Sequence, residues 1–514
     1  MRRFRLTLLT LVPGLLAAQT PASIQRAVRS ITAADVQRRI GIIADDSMLG
    51  RATPSPQLEL VAQYIASEFR RMGLRPGGDS GRYLQRFGIV RRTVDTARAA
   101  VEIAGPRGAA TLRPGVDVNL LPFGQPGTAV ISGPIVLFAG PGDRERPLAD
   151  AAVRGAWIAI LASTEAGGLR LDDPAATAAG AAGAVGILVI SNRPDTMWQN
   201  RLSRVLRPEL VPAWQVGAET VTRPVFAEIR DGHATRLLGV DPAALRAQRA
   251  RTATRLAGVT LTYRPAYREL GRASAPNVIG ILDGSDPRLQ HEYLFFTGHM
   301  DHVGTPGSGA GCEARGGDSI CNGADDDASG TVAVIEAAEA FAQLTPRPKR
   351  SLVFMAVSGE ERGLWGSEYY SEHPSVPLSS IVANLNTDMV GRNWKDTISV
   401  IGKEHSDLGA TLNRVGAAHP ELRMQPIDDI WPRENFYFRS DHYNFARKGV
   451  PILFFFNGTH ADYHQVTDSP DKIDAEKAAR IVQLVFYLGL EIANAAQRPR
   501  WNPESYRSIV QGQP

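Results

Sequence analysis

Carboxylate and imidazole side chains recur in the second half of this chain, most of them in the segments that follow short apolar runs. Histidines and acids follow four such runs: His299, Asp301 and His302 after 293–296, Glu360 and Glu361 after 352–357, Asp388 after 381–385, and His464 at the end of the segment after 450–456. Three consecutive aspartates, 325–327, also precede a predicted helix. Imidazole and carboxylate groups are the ligands that suit Zn²⁺. The pattern therefore predicts a metal site.

Each of these fragments alone has an ordinary structural explanation. Three aspartates before a helix can cap it and oppose its dipole, and a pair of glutamates in a loop is usually solvated. These explanations do not account for acids and histidines after successive apolar runs, because each occurrence would then be a separate coincidence.

The number of candidate ligands fits a pair of metal ions. Two ions about 3.5–4 Å apart can share a carboxylate and a hydroxide, and each needs about three protein ligands. Two histidines, two terminal carboxylates and one bridging carboxylate meet that requirement, and one further carboxylate is left to act as a general base. Asp301 is suitably placed to orient His299. Spacing alone does not say which of Glu360 and Glu361 binds metal.

The apolar runs predict the element that positions these groups. They are too short for core helices and too continuous for half-exposed strands, so they indicate buried strands of a sheet covered on both faces. Helices are predicted at 331–341 and 477–493, and two more at 33–43 and 57–72. We therefore expect an α/β fold with a mixed, mostly parallel central sheet flanked by helices. In such sheets ligands collect at the carboxyl ends of the strands.

The middle of the chain has a different residue composition and carries no cluster of potential metal ligands. Between residues 113 and 241 short apolar runs alternate with Gly and Pro, which predicts a small β-rich domain. Its predicted strands lie at 134–138, 157–161 and 186–190, and its predicted helix at 175–185. A charged, Ala-rich helix is predicted at 242–255.

The first residues have the pattern of a secretory signal. Three arginines among the first five residues precede an apolar run from 6 to 16, and Ala18 marks the predicted cleavage point. The alternative is a membrane anchor, but spanning needs about 20 apolar residues and Pro13 interrupts this run. No later segment is apolar enough to span. We expect a secreted or periplasmic protein without a transmembrane segment; the sequence does not indicate its oligomeric state.

Charge and cysteine content constrain the partners further. The formal net charge is +4, and removal of the signal would leave a chain close to neutral. This gives no electrostatic case for a nucleic-acid partner. Both cysteines, Cys312 and Cys321, lie in a Gly-rich segment. Export favours a disulfide between them, and no further Cys or His stands nearby to complete a zinc site with this pair.

Taken together, the motifs resemble those of the co-catalytic di-zinc aminopeptidases, the family of secreted leucyl aminopeptidases and glutamate carboxypeptidase-like metallopeptidases. The resemblance covers about 35–87 and 276–493. It implies two Zn²⁺ ions per chain, with these ligands: Asp326 as the bridge, His299 and Asp388 on one ion, Glu361 and His464 on the other. It also implies that Glu360 is the general base.

Two supporting roles follow from the same resemblance. Tyr437 would donate a hydrogen bond to the developing oxyanion, a role typically worth a few kcal/mol, although it could equally be a packed aromatic. Asp441 would support the site from behind, unless it caps a helix. The middle region resembles the protease-associated domain often inserted in this family. The implied division is 1–18 signal peptide, 19–112 first part of the peptidase domain, 113–255 inserted domain, 256–498 di-zinc peptidase domain and 499–514 tail.

The expected function is an exported zinc-dependent exopeptidase, an aminopeptidase that removes N-terminal residues from peptides through a zinc-bridged hydroxide. A non-catalytic relative would not need the intact ligand set with Glu360, and a single-zinc glutaminyl cyclase would not need a second ligand trio. A carboxypeptidase or dipeptidase stays open. Residues that would grip a substrate carboxylate are Arg392, Arg433 and Arg439; those that would bind a free amine are Asp429 and Glu434.

Overall fold

The computed structural model describes residues 19–121, 129–139, 153–162, 182–217, 225–250 and 252–512. The predicted signal peptide therefore lies outside the described residues. The chain divides into two units: the first combines the segment up to Phe87 with the segment from Ser274 onward, and the second is Gly88–Ala273. The second unit is wider at both ends than the insert predicted at 113–255.

Most of the described chain belongs to regular elements. The strands are β1 Arg75–Pro76, β2 Leu84–Val94, β3 Ala100–Gly105, β4 Gly108–Leu112, β5 Asn119–Leu121, β6 Ile131–Ala139, β7 Trp157–Leu161, β8 Gly186–Ser191, β9 Glu209–Pro212, β10 Val225–Arg230, β11 Thr252–Arg264, β12 Tyr267–Leu282, β13 Tyr293–His299, β14 Ser351–Val357, β15 Ile381–Asp388, β16 Thr397–Ile401, β17 Gln425–Ile427 and β18 Ile452–Phe456. The helices are α1 Pro21–Arg29, α2 Ala33–Ile43, α3 Pro56–Arg71, α4 Asp195–Val205, α5 Asp231–His233, α6 Pro242–Ala247, α7 Gly330–Ala342, α8 Trp365–Glu372, α9 Leu408–Ala418, α10 His442–Ala446, α11 Ala475–Asn494 and α12 Pro503–Tyr506.

The first unit is built on a mixed, mostly parallel sheet, as predicted. Its strands follow the order β17-β16-β18-β15-β13-β14-β12. β13 pairs in parallel with β14 and β15, β15 with β18, and β16 with β17, whereas β12 is antiparallel to β14 and β16 is antiparallel to β18. The register pairs His299 with Val357 and Asp388 with Phe456. The carboxyl ends of the four central strands therefore meet at one edge.

Helices cover this sheet and account for its continuous apolar strands. Helix α7 packs against β13, β14 and β15, and α11 packs against α7 and α2. Phe296 of β13 stacks on Phe354 and contacts Phe341 of α7, with ring centroids 5.0 and 5.4 Å apart. Helix α11 approaches Phe296 closely at Gly489, which has no side chain. A Cβ at this position would lie 2.6 Å from the Phe296 ring.

A buried charge cluster joins the helices of this layer. Arg39 of α2 is 1% exposed and pairs with Glu68 of α3 at 2.8 Å and with Glu336 and Glu339 of α7. Burial strengthens such contacts but also makes each charge dependent on its partners. The segment before residue 87 is thus fixed to the helices that cover the sheet.

The second unit has its own sheet and core. The strand order is β4-β3-β11-β6-β7-β8-β10-β5, parallel from β6 to β10 and antiparallel elsewhere. The three strands predicted here are present as β6, β7 and β8. Strands β3 and β4 precede residue 113 but belong to this sheet because β3 pairs with β11, which explains the wider unit.

Two helix predictions in this region have different outcomes. Of the helix predicted at 175–185, residues 175–181 lie outside the described ranges, and 182–185 are not helical. The helix predicted at 242–255 is wrong beyond α6, since β11 begins at Thr252 and pairs with β6 from Ala139 onward. Pairing between strands overrides the helix propensity of this Ala- and Arg-rich stretch. No helix among the described residues is long and apolar enough to cross a membrane.

Candidate metal centre

The predicted ligands lie at the edge where the central strands end. His299 and Asp388 are the last residues of β13 and β15, and Glu360 and Glu361 form a short helical turn after β14. Asp326 lies in the turn that leads into α7. Because the register aligns these strand ends, residues far apart in the sequence come together.

Asp326 faces two histidines with its two carboxylate oxygens. His299 Nε2 lies 3.3 Å from Asp326 Oδ1 and 3.6 Å from Asp388 Oδ2. His464 Nε2 lies 3.1 Å from Asp326 Oδ2 and 3.1 Å from Glu361 Oε2. The carboxylate of Asp326 is therefore common to two groups of potential ligands, one on each side.

Two residues not assigned from the sequence belong to these groups. His302 joins Asp326, Glu361 and His464, and Asp327 joins His299 and Asp388. His302 Nδ1 is 2.8 Å from Glu361 Oε1. His302 lies three residues after His299 in the same motif, so its residue type and position in the sequence already indicated a potential ligand.

Asp327 is tied to the surrounding backbone. Its Oδ2 accepts a hydrogen bond from the backbone N–H of His299 at 3.0 Å, and its Oδ1 accepts from Gly330 at 2.8 Å and Met389 at 3.1 Å. These bonds connect the ends of β13 and β15 to the start of α7. Asp327 thereby holds the backbone that carries His299 and Asp388.

Asp301 contacts His299 through its main chain. Nδ1 of His299 is 3.1 Å from the Asp301 carbonyl oxygen but 3.9 Å from the Asp301 carboxylate. The carboxylate accepts hydrogen bonds from Thr53 Oγ1 at 2.8 Å and from the backbone N–H of Glu360 at 3.3 Å. Asp301 therefore links the His299 loop to the Glu360 turn.

The side chains of Glu360 and Asp441 are shielded from solvent. Glu360 Oε2 lies 4.0 Å from His299 Nε2. Burial raises the pKa of Glu360 well above its ordinary value, which suits a proton acceptor that must later release the proton. Burial also raises the pKa of Asp441 to about 7. Its Oδ1 accepts a hydrogen bond from Ser367 Oγ at 2.5 Å, and its supporting role at the site stays a prediction.

Tyr437 lies away from the cavity next to the ligands. Its ring contacts His405 edge-on at 4.6 Å, and its buried hydroxyl has no hydrogen-bond partner among the residues that the structure describes. The aromatic and cationic residues that line the cavity are Phe436, Phe454, Phe456, Tyr463 and Arg439. Tyr463, which precedes His464, is therefore the tyrosine on the cavity wall, and the oxyanion role of Tyr437 stays a prediction.

The chemistry of this donor set fits bound cations. Five buried side-chain atoms of these groups have no hydrogen-bond partner within the described part of the chain: His302 Nδ1, His302 Nε2, Asp326 Oδ2, Glu361 Oε1 and Asp388 Oδ1. Carboxylates buried this close together repel one another unless positive charge lies between them. Imidazole and carboxylate ligands in these numbers suit Zn²⁺.

The sheet and these clusters define an α/β protein with two candidate metal-binding groups. Residues 277–489 match the model of peptidase family M28.

Curated proteins and a solved structure are similar to this chain. The chain is 34% identical over 208 residues to a probable zinc metalloprotease of Pyrenophora teres f. teres, covering 34% of this chain and 41% of the relative. It is 29% identical over 181 residues to a probable leucine aminopeptidase of Arthroderma benhamiae, covering 34% and 49%. The chain thus spans less than half the length of these curated relatives. The solved aminopeptidase from Aneurinibacillus sp. strain AM-1 has a similar fold, with a TM-score of 0.51 at 17% identity over 93% of this chain and 97% of that chain.

Proposed function

We propose that this chain is an exported zinc-dependent exopeptidase that acts as an aminopeptidase on peptides. The observation that supports this most is the position of Asp326, whose two oxygens lie 3.3 and 3.1 Å from different histidines. A carboxylate shared in this way is what a pair of metal ions requires.

The proposed ligands are those expected from the sequence. His299 and Asp388 would hold one Zn²⁺, Glu361 and His464 the other, with Asp326 between them. When bound, the two ions supply a nucleophilic water at neutral pH and polarise the scissile carbonyl. His302, 2.8 Å from Glu361, orients that carboxylate or adds a ligand.

The protein's own proton transfer would fall to Glu360. Its carboxylate lines the cavity and its pKa is raised by burial. It would accept the proton of the attacking water and deliver it to the nitrogen of the leaving amine, which breaks the C–N bond without releasing a strong base.

The choice of an aminopeptidase rests on the name of the Arthroderma benhamiae relative, because the carboxylates that line the cavity are already the proposed metal ligands and general base. A second candidate is a carboxypeptidase or dipeptidase, because Arg439 also lines the cavity and could bind a substrate carboxylate. Glu434 lies 3.6 Å from Arg439 and offsets part of its charge, which favours the aminopeptidase.

Two substrate sets separate these candidates. One contains aminoacyl reporters with a free amine, and the other contains the matching N-blocked dipeptides with a free carboxylate. We expect hydrolysis of the first set, loss of that hydrolysis with a strong chelator, and recovery on addition of Zn²⁺. Hydrolysis of the N-blocked set alone would favour the carboxypeptidase, and hydrolysis of neither set would contradict the proposed function.

A further inference from the structure

A short segment near the start of the chain lies against the loops that carry the candidate ligands. Arg51 in this segment is fully buried. Its guanidinium donates to the carbonyl oxygens of Met300 at 2.7 Å, Gly323 at 2.6 Å and Asn322. Met300 follows His299, and the other two carbonyls precede Asp326. One side chain therefore joins the loops of two proposed ligands.

Thr53 makes a second set of connections. Its Oγ1 donates to Asp301 Oδ2 at 2.8 Å and accepts from the backbone N–H of Gly359 at 3.1 Å. Its carbonyl accepts from Arg362 Nε at 3.1 Å. Gly359 and Arg362 flank the turn that contains Glu360 and Glu361, so Thr53 connects this turn to the His299 loop.

Gly50 allows the segment to approach closely. A Cβ at this position would lie 2.2 Å from the carbonyl oxygen of Cys321 and 2.8 Å from the backbone of Gly304. Its φ of +63° is also one that favours glycine. The segment therefore fits between the two loops only if this residue has no side chain.

The charge of Arg51 adds to its contacts. Arg51 makes no ion pair with a carboxylate among the described residues; instead its guanidinium bonds are to carbonyl oxygens, and its charge acts on Asp326, Asp301 and Asp327. A planar guanidinium has five donors in a fixed fork, so it can fix several carbonyls at once in a way that an ammonium cannot.

We propose that Arg51 and Thr53 are positioning residues that hold the three ligand-bearing loops in a metal-binding arrangement. The region that matches the family model, 277–489, would then be incomplete as a metal site without a segment more than two hundred residues earlier. This inference rests on the metal binding in the proposed function but not on the substrate.

The test is zinc affinity measured by competition with a chromophoric chelator, using the full chain. We expect Arg51→Met and Thr53→Val each to weaken zinc binding by about 10–100-fold, the range typical of residues that orient metal ligands. We also expect the d–d absorption of the Co²⁺-substituted protein to change at saturating metal. Arg51→Lys keeps the charge but not the fork, so it should weaken zinc binding like Arg51→Met.

Arg350 provides the matched control. It is buried as well, at 1% exposed, and it donates to the carbonyls of Ile492 and Ala495 at 2.9 and 2.5 Å and to the Glu292 carboxylate at 2.7 Å. It precedes β14, whereas Glu360 follows that strand. Arg350→Met should lower the melting temperature and leave zinc affinity and the Co²⁺ spectrum unchanged.

The outcomes separate this inference from the proposed function. A wild-type chain that binds no zinc would contradict the proposed function. A wild-type chain that binds zinc, together with folded Arg51→Met and Thr53→Val variants of equal affinity, would overturn the positioning role alone. Wild-type affinity in Arg51→Lys, or an equal loss in Arg350→Met, would also overturn it.

Discussion

Two neighbouring glutamates in this protein have opposite electrostatic surroundings. Burial alone would raise the pKa of Glu361, and so would the charge of Asp326, but the close contacts of His302 and His464 bring this pKa down to about 2. The pKa of Glu360 is instead raised by burial. Carboxyl groups whose pKa values are driven apart in this way commonly divide the roles of charged ligand and proton carrier.

The pair of variants Glu360→Gln and Glu361→Gln tests this division. Glu360→Gln keeps shape and hydrogen bonding but cannot accept a proton, so kcat should fall by about 10²–10⁴-fold with zinc content retained and KM little changed. Glu361→Gln removes a charged ligand, so metal content and activity should fall together. Steady-state kinetics and elemental analysis of both purified variants are the measurements. The reverse pattern would mean that the two roles are exchanged.

At this scale the sequence predicts residue types better than side-chain directions. The strand-end pattern identified the acids and histidines that come together. It did not separate Glu360 from Glu361, because both follow the same strand and only the partners of each oxygen distinguish them. It also did not show that Tyr437 turns toward His405 while Tyr463 lines the cavity, because the direction of a side chain in a short turn depends on packing from distant parts of the chain.

At the scale of elements, the loop between β13 and α7 is fixed by a covalent link. Cys312 and Cys321 form a disulfide within a small apolar cluster that also contains Val303 and Val466. Sγ of Cys321 lies 3.9 Å from the carbonyl oxygen of His464. The loop therefore contacts the segment of one proposed ligand and precedes Asp326.

We expect the double variant Cys312→Ser/Cys321→Ser to lower the free energy of unfolding by about 2–3 kcal/mol, because the bridge closes a loop of this short length. Denaturant unfolding of the oxidised wild type and the variant measures this difference. Thiol titration of protein recovered from the exported fraction should find no free thiol. Two reactive thiols there, or equal unfolding midpoints, would contradict the prediction.

Strands and helices could be predicted from the sequence wherever burial determines the pattern of apolar residues. The strands at the centre of the sheet are covered on both faces, so their sequences are apolar throughout and were recognised. The end of α6 was not predicted, because the change from helix to strand depends on the pairing of β11 with β6. The local sequence of this Ala- and Arg-rich stretch contains no information about β6.

At the scale of the whole molecule, the candidate metal centre concentrates negative charge in the interior. Asp301, Asp326, Asp327 and Asp388 are all at most 6% exposed. Bound cations would neutralise this charge only in the folded state, and ligands that bind only the folded state stabilise it.

We therefore expect two zinc ions per chain by elemental analysis of the active protein, and a lower melting temperature after treatment with a strong chelator. Scanning calorimetry before and after chelation, with zinc added back, gives the measurement. One tightly bound ion in a fully active sample would contradict the two-ion centre, and an unchanged melting temperature would contradict the coupling to folding.

The first unit is assembled from both ends of the chain, and this has a consequence for how it is made. Helix α3 has an apolar face formed by Leu58, Val61, Ile65 and Phe69, and its partners in α7 come after the whole of Gly88–Ala273. About 270 residues separate this face from α7, so at a synthesis rate of about 5–20 residues per second the face waits on the order of 15–55 s for its partners. During that interval the nascent chain exposes an apolar surface that can aggregate. The yield of folded protein in a cell should therefore depend on chaperones that bind the unfolded chain.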